Sequence, residues 1–232
     1  MTLAATQLLN DDGSASMATA FMMSHHGFRR DIALFKRALA QDAGGDAVID
    51  EPRRIVALQQ EWKGFHAKLH GHHQVEDNGV FPGIKAQHAE LGSVIAELVA
   101  DHQRLDPMLE AGERAFAKLP ATAEAAAIVD DMTALLDKHL GLEERNIVPL
   151  LRGANTFPSP ASDAEAEMYA EGFAWACHGI APEVLAQVDK MLPASVTSRL
   201  PAARIVFTRK FESLWGAVGG GASTTAVPDW LR

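Results

Sequence analysis

Cysteine is almost absent: Cys177 is the only one in 232 residues. That excludes an internal disulfide and a multi-thiolate metal site, and it fits a reducing compartment. No run of about 18 apolar residues exists, so no membrane-spanning helix is expected. The first 17 residues lack the basic segment and sustained apolar stretch of a secretory signal, which makes a cytoplasmic location the expectation. Lys and Arg number 21 against 30 Asp and Glu, a net charge of −9, and they form no dense run. Nucleic acid or an anionic membrane surface is therefore not expected as the main partner. Valine and isoleucine are sparse, alanine is abundant and strand-like alternation is rare. These shortages point to an all-α chain, of a length that suits one domain with an extension.

The apolar residues recur at helical spacing. A flexible leader over 1–17 is expected to precede a helix over roughly 17 to 40, with the seam Phe21, His25, Phe28, Ile32, Phe35 and Leu39. A second helix starts near Pro52, a favoured first-turn position for proline. Its seam is Ile55, Leu58, Trp62, Phe65 and Leu69, followed by His72 and Glu76; Phe81-Pro82-Gly83 is expected to end or kink it. A third helix spans roughly 88 to 118 with Leu91, Ile95, Leu98, His102, Leu105 and Leu109, and Pro107 predicts a kink or break. A fourth runs from Pro120 to about 151, with Ile128, Met132, Leu135, His139 and Leu142. Short connections favour an antiparallel up-down-up-down four-helix bundle over 18–152. In that topology the seam histidines lie at similar depth, within about 10 Å of one another along the axis.

Each of the four helices thus places one histidine on an apolar seam. The second and fourth also share a repeat: His72-x3-Glu76-x5-Pro82 and His139-x3-Glu143-x5-Pro149. A His and a Glu at i and i+4 face the same way one turn apart. Buried carboxylates are rare unless paired or bound to metal, and no Lys or Arg stands on these seams. Imidazole with carboxylate and no thiolate suits Fe, Mn or Zn. Six such side chains closed around one ion would leave no room for a further ligand, whereas around two ions they leave open positions. A dinuclear centre bridged by the two glutamates is therefore favoured. A Glu-x-x-His signature, the mark of ferritin-like di-iron bundles, is absent. His66, His70, His73 and Asp77 form a second stripe beside the seam, expected to make helix-to-helix contacts or to support the ligands from behind. His88 stands about four helical turns from His102, outside the site, and His178 is expected to be structural.

These residues resemble the hemerythrin-like HHE cation-binding domains. His25, HHQVED with His72 and Glu76, DHQRL with His102, and HLGLEE with His139 and Glu143 follow the pattern H…HxxxE…H…HxxxE over about residues 20 to 151. The resemblance implies a bundle holding two non-haem Fe ions near one end, bridged by an oxo or hydroxo oxygen and two carboxylates. His25, His72, His102 and His139 would be terminal ligands, with Glu76 and Glu143 as bridges. Oxygen-carrying relatives have a His-x3-His pair on the third helix. Leu98 stands at that position here, which argues against simple reversible O2 carriage. Asp106, His73 and Tyr169 are candidates to complete the site, and Glu144 is an alternative to Glu143. The relatives include oxygen carriers, iron or oxygen sensors, NO-responsive proteins and peroxide-decomposing enzymes. The expected ligand is O2, NO or peroxide, with H2O2 decomposition as one activity and iron or redox sensing without turnover as the alternative.

Beyond Pro158-Ser159-Pro160 a helical extension is expected over 161–215, with three helices: one ending at Gly179, one over PEVLAQVDKMLP and one over SRLPAARIVFTRKFESLWG. It would brace the bundle or form a homodimer surface. Residues 216–232 read as a flexible tail.

Overall fold

The computed structural model describes residues 8–43 and 52–216, and among these every regular element is helical, with no strand. In chain order they are α1 (Met17–Ala43), α2 (Pro52–Val75), a π-helical turn (Glu76–Val80), α3 (Phe81–Gln87), a 3-10 turn (Ala89–Leu91), α4 (Gly92–Phe116), α5 (Ala123–Asn146), a 3-10 turn (Val148–Leu151), α6 (Asp163–Ala176), α7 (Pro182–Met191), α8 (Ala194–Thr197) and α9 (Leu200–Trp215). Among the described residues no helix is long and apolar enough to cross a membrane. The tail over 217–232 lies outside them. The chain divides into two compact units, residues 31–147 and residues 1–30 with 148–232; α1 runs through the boundary.

In the unit of residues 31–147, α4 packs against α5 and α2. The apolar stripes give the core. α2 buries Leu58, Trp62, Phe65 and Leu69, α4 buries Ile95, Leu98, Leu105 and Leu109, and α5 buries Val129, Met132, Leu136 and Leu140. Phe35, from the second half of α1, sits edge-on to Trp62, Phe65 and Phe116 at 5.1, 5.9 and 5.3 Å. Trp62 stacks on Phe116 at 4.6 Å and donates its indole N–H to the Leu109 carbonyl at 3.0 Å. Each large side chain buried this way contributes about 1.5–3 kcal/mol. The indole lies so close to α4 that only Gly112 fits opposite it.

At both prolines, where an end or a kink was expected, the helical run continues. Pro107 lies inside α4 without breaking it: the helix is continuous from Gly92 to Phe116. Phe81-Pro82-Gly83 does not end the second helical run either, because α3 continues it to Gln87. The π turn explains how. Phe81 N–H bonds to the Glu76 carbonyl five residues back, so the widened turn relieves the clash between the Pro82 ring and the carbonyl four residues before it. The third helix begins at Gly92 rather than 88. His88 has a non-helical backbone, φ −132° and ψ 69°.

In the other unit, residues 8–16, within the expected leader, form turns anchored at both ends. Thr19 donates to the Leu8 carbonyl at 2.7 Å, and Asn10 donates to the Arg152 carbonyl at 3.2 Å. The first half of α1 is held by the C-terminal helices. Gly27 lies flat against Trp175. Arg30 donates to the Trp175 and His178 carbonyls at 2.9 and 3.2 Å, with its guanidinium 5.5–5.6 Å from the rings of Trp175, Phe207 and Phe211. α6 is capped by Ser162, which accepts from Glu165 N–H, and packs against α9 and α8. Gly179 takes φ 89° after α6, a left-handed turn that ends the helix where expected.

Candidate metal centre

Four elements within residues 31–147 deliver polar side chains to one place. α2 brings His72 and His73, the π turn brings Glu76 and Asp77, α4 brings His102 and Asp106, and α5 brings His139 and Glu143, with Glu144 buried next in sequence. Burial is nearly complete: His73, Glu76, His139 and Glu143 are 0 % exposed, and His102 and Glu144 2 %. The π turn fixes the register here. From Glu76 an ordinary helix would bring Val80 to the same face; the wider turn brings Phe81 instead. Phe81 is buried and stacks on the His102 ring at 5.7 Å and 18°.

The ligand atoms of Glu76, His102, His139 and Glu143 all lie within 4.8 Å of one another, as do those of His73, His102 and His139. His72 Nε2 is 3.0 Å from Glu76 Oε1, while His102 Nε2 is 3.4 Å from Glu76 Oε2. Neither oxygen of Glu76 has a directed hydrogen bond. Nε2 of His102 and Nε2 of His139 face each other at 3.2 Å, and His139 Nε2 is 3.5 Å from Glu143 Oε1. Burying a carboxylate with no directed hydrogen bond, as at Glu76, costs about 1–3 kcal/mol per group. A cation among them removes that cost, and the nitrogen-oxygen donor set, with no thiolate, fits iron.

Carboxylates behind the imidazoles fix their orientation. His102 Nδ1 lies 2.9 Å from Asp77 Oδ1, and His73 Nδ1 lies 2.8 Å from Asp106 Oδ1. A proton on Nδ1 donated to carboxylate leaves the Nε2 lone pair facing inward, the arrangement that tunes metal-binding histidines. Burial opposes ionisation of Glu76, yet the imidazoles of His72 and His102 outweigh it and hold the carboxyl well below the usual range. Burial likewise opposes charge on His102, but Glu76 and Asp77 prevail and raise it. For His73 burial dominates, against Asp106, and its pKa is lowered. Asp106 is held low because His73 and His70 outweigh burial.

Of the six residues expected from the sequence, the structure brings Glu76, His102, His139 and Glu143 together, with His72 against Glu76. His25 is fully buried beside Phe21, ring centroids 4.8 Å apart, on the half of α1 that belongs to the other unit. The stripe beside the seam makes the expected helix-to-helix contacts: His66 with Glu113 at 2.7 Å, and His70 with Asp106 at 2.9 Å. Asp106 faces these two α2 histidines, His70 and His73, and the Tyr169 hydroxyl donates to Glu165 within its own helix at 2.7 Å. His88 pairs with Glu90 at the surface, and His178 packs on Phe211 at 4.1 Å.

His73 makes the helix-to-helix contact expected of its stripe, to Asp106 on α4 at 2.8 Å, yet its side chain is only 1 % exposed, less than the 11 % of His72. Leu69 to His72 is a step of three and Leu69 to His73 a step of four, and both steps stay on one helix face. A visible signal was the repeated HQ-x-x-D: His73-Gln74 with Asp77, and His102-Gln103 with Asp106.

Residues 16–151 match the family model described as the hemerythrin HHE cation binding domain. No curated protein and no solved structure matches the chain.

Proposed function

The chain belongs to the hemerythrin HHE cation-binding family, and from this premise we propose that it is a non-haem di-iron protein. It binds a small ligand, O2, NO or hydrogen peroxide, at an iron position that the side chains leave open. One observation supports two ions above all. Glu76 turns one oxygen to His72 on its own helical run and the other to His102 on α4, at 3.0 and 3.4 Å. A buried carboxylate with an imidazole at each oxygen is arranged as a bridge. Glu143, beside His139, supplies the second bridge, which is what the repeat of His-x3-Glu on α2 and α5 suggests. His72 would be terminal to one ion, and His102 and His139 to the other. His25 would be a further terminal ligand, as the sequence pattern has it.

Bound iron would supply redox change and polarisation of an O–O bond, the basis of peroxide decomposition at such a centre. The protein's own part is to hold the donors and to keep water out. Asp77 and Asp106 hold two imidazoles in one tautomer, and the Phe81 ring closes one face of His102. In this reading α1, α2, α4 and α5 are the antiparallel up-down-up-down bundle, and residues 161–215 are the helical extension. The lone cysteine suits a cytoplasmic protein.

Anaerobic reconstitution with Fe(II) should load about two ions per chain, the count implied by two bridges. Adding O2, NO or H2O2 should then change the absorption spectrum. Exchanging both His72 and His139 for Ala should abolish iron uptake; unchanged iron content in that variant sinks the proposal. Disproportionation of H2O2 by the loaded protein distinguishes turnover from binding.

A further inference from the structure

His73, one of the candidates to complete the site, stands outside the His-x3-Glu repeat. We propose that His73 is itself an iron ligand, through Nε2, and completes a three-histidine position with His102 and His139. The inference rests on the di-iron reading above and sharpens it: the two iron positions are unequal.

Four observations converge. His73 Nε2 is fully buried and has no hydrogen-bond partner. One ring nitrogen of His73 lies within 4.8 Å of the ligand nitrogens of His102 and His139, all three residues being buried. Its other nitrogen is engaged, Nδ1 standing 2.8 Å from Asp106, so the neutral ring carries its lone pair on the inward atom. His102 is likewise held at Nδ1, by Asp77 at 2.9 Å.

The last two observations form one crossed arrangement. His73 on α2 leans on an aspartate of α4, and His102 on α4 leans on an aspartate of the π turn that follows α2. In each case the aspartate stands four residues after the other helix's histidine. The two imidazoles stack face to face between these pairs, at 4.0 Å and 13°, so one ring has to tilt for both Nε2 lone pairs to meet one ion. If His102 is prepared as a ligand by this device, His73 is prepared equally. A purely structural histidine would need only one of its nitrogens satisfied at the cost of burying the other, about 1–3 kcal/mol.

Neighbouring His72 and His73 therefore diverge. His72 faces Glu76 Oε1, and His73 faces the His102–His139 side, with ring centroids 6.4 Å apart. One HH dipeptide would serve both ions.

The test is iron content and Mössbauer spectrum of the anaerobically loaded His73→Ala protein, with circular dichroism as the control for folding. Wild type should show two inequivalent iron environments. The variant should lose the histidine-rich one, so that iron content falls by about half. Two irons with an unchanged spectrum in the variant would overturn the inference and leave the di-iron reading standing; a wild type that takes up no iron would overturn both. Should the variant not fold, crystals of the iron-loaded wild type decide. An ion within about 2.0–2.2 Å of His73 Nε2, the usual metal–imidazole distance, supports the assignment, and a nitrogen held clear of both ions refutes it.

Discussion

Gly112→Ala isolates the packing that sets α2 against α4 and so holds the two halves of the candidate site together. A Cβ added at Gly112 would stand 2.0 Å from Trp62 Cζ2 and 2.7 Å from its Nε1, where ordinary contact begins at 3.4 Å. The indole would have to withdraw by more than an ångström. It is held by its bond to the Leu109 carbonyl at 3.0 Å and by the rings of Phe116 and Phe35 at 4.6 and 5.1 Å. Overpacking of this kind costs about 1–3 kcal/mol, and a lost hydrogen bond adds about 0.5–1.5 kcal/mol. Replacing a helical glycine by alanine returns about 0.8–1.0 kcal/mol. The net expectation is a loss of about 1–3 kcal/mol. Gly71→Ala is the control: it sits in α2, and a Cβ there meets no atom within 4 Å. It should gain about 0.5–1 kcal/mol. Urea unfolding of the metal-free proteins, followed by circular dichroism, measures both. If Gly112→Ala proves as stable as Gly71→Ala, the contact between Trp62 and α4 is not as tight as described and the reasoning fails.

Other expectations follow from the same geometry. The pKa of Asp106 is held low by His73 and His70 against the effect of burial. Its contribution to stability is therefore complete above its unfolded value of about 4 and is lost as pH falls through the lowered folded value. Asp106→Asn should flatten the acid limb of the metal-free protein's pH-stability curve, and an unaltered limb would count against the pairing. His102 is raised by Glu76 and Asp77 in spite of burial, so without metal it retains a proton at higher pH than a free histidine. Metal uptake near neutral pH should release protons; calorimetry in buffers of different ionisation enthalpy would detect this, and a buffer-independent heat would argue against it. Cys177 is 4 % exposed, and burial raises its thiol pKa despite Arg204 at 3.4 Å. It should react with a thiol reagent far more slowly in native protein than in urea, and equal rates would contradict its packing. Gly27→Ala, whose Cβ would meet Trp175 at 2.5 Å, should destabilise the unit that contains the C-terminal helices.

The helices were legible because their apolar residues keep the helical period. Trp62, Phe65 and Leu69 lie on one stripe, as do Ile95, Leu98, His102, Leu105 and Leu109, and both stripes are buried. The ligand candidates were legible for the same reason: His and Glu replaced apolar residues where the period demanded a buried side chain. What escaped was anything a regular helix cannot express. The π turn at Glu76–Val80 shifts the register by one residue and exchanges Val80 for Phe81 on the buried side; periodicity assumes that no such shift occurs. Steps of three and four are equivalent on a stripe, so periodicity does not rank His72 against His73; the partner helix, through Asp106 and His102, does. At Pro107 and Pro82, where a kink or a break was expected, both helical runs continue, at Pro82 through the widened turn.

Anomalous scattering at the iron absorption edge, from crystals of the anaerobically loaded protein, tests the di-iron proposal most directly. Two peaks per chain are expected, one beside His72 and one beside His102 and His139, with the carboxylate of Glu76 between them. No peak among these residues, or a single peak that leaves one oxygen of Glu76 unengaged, would contradict it.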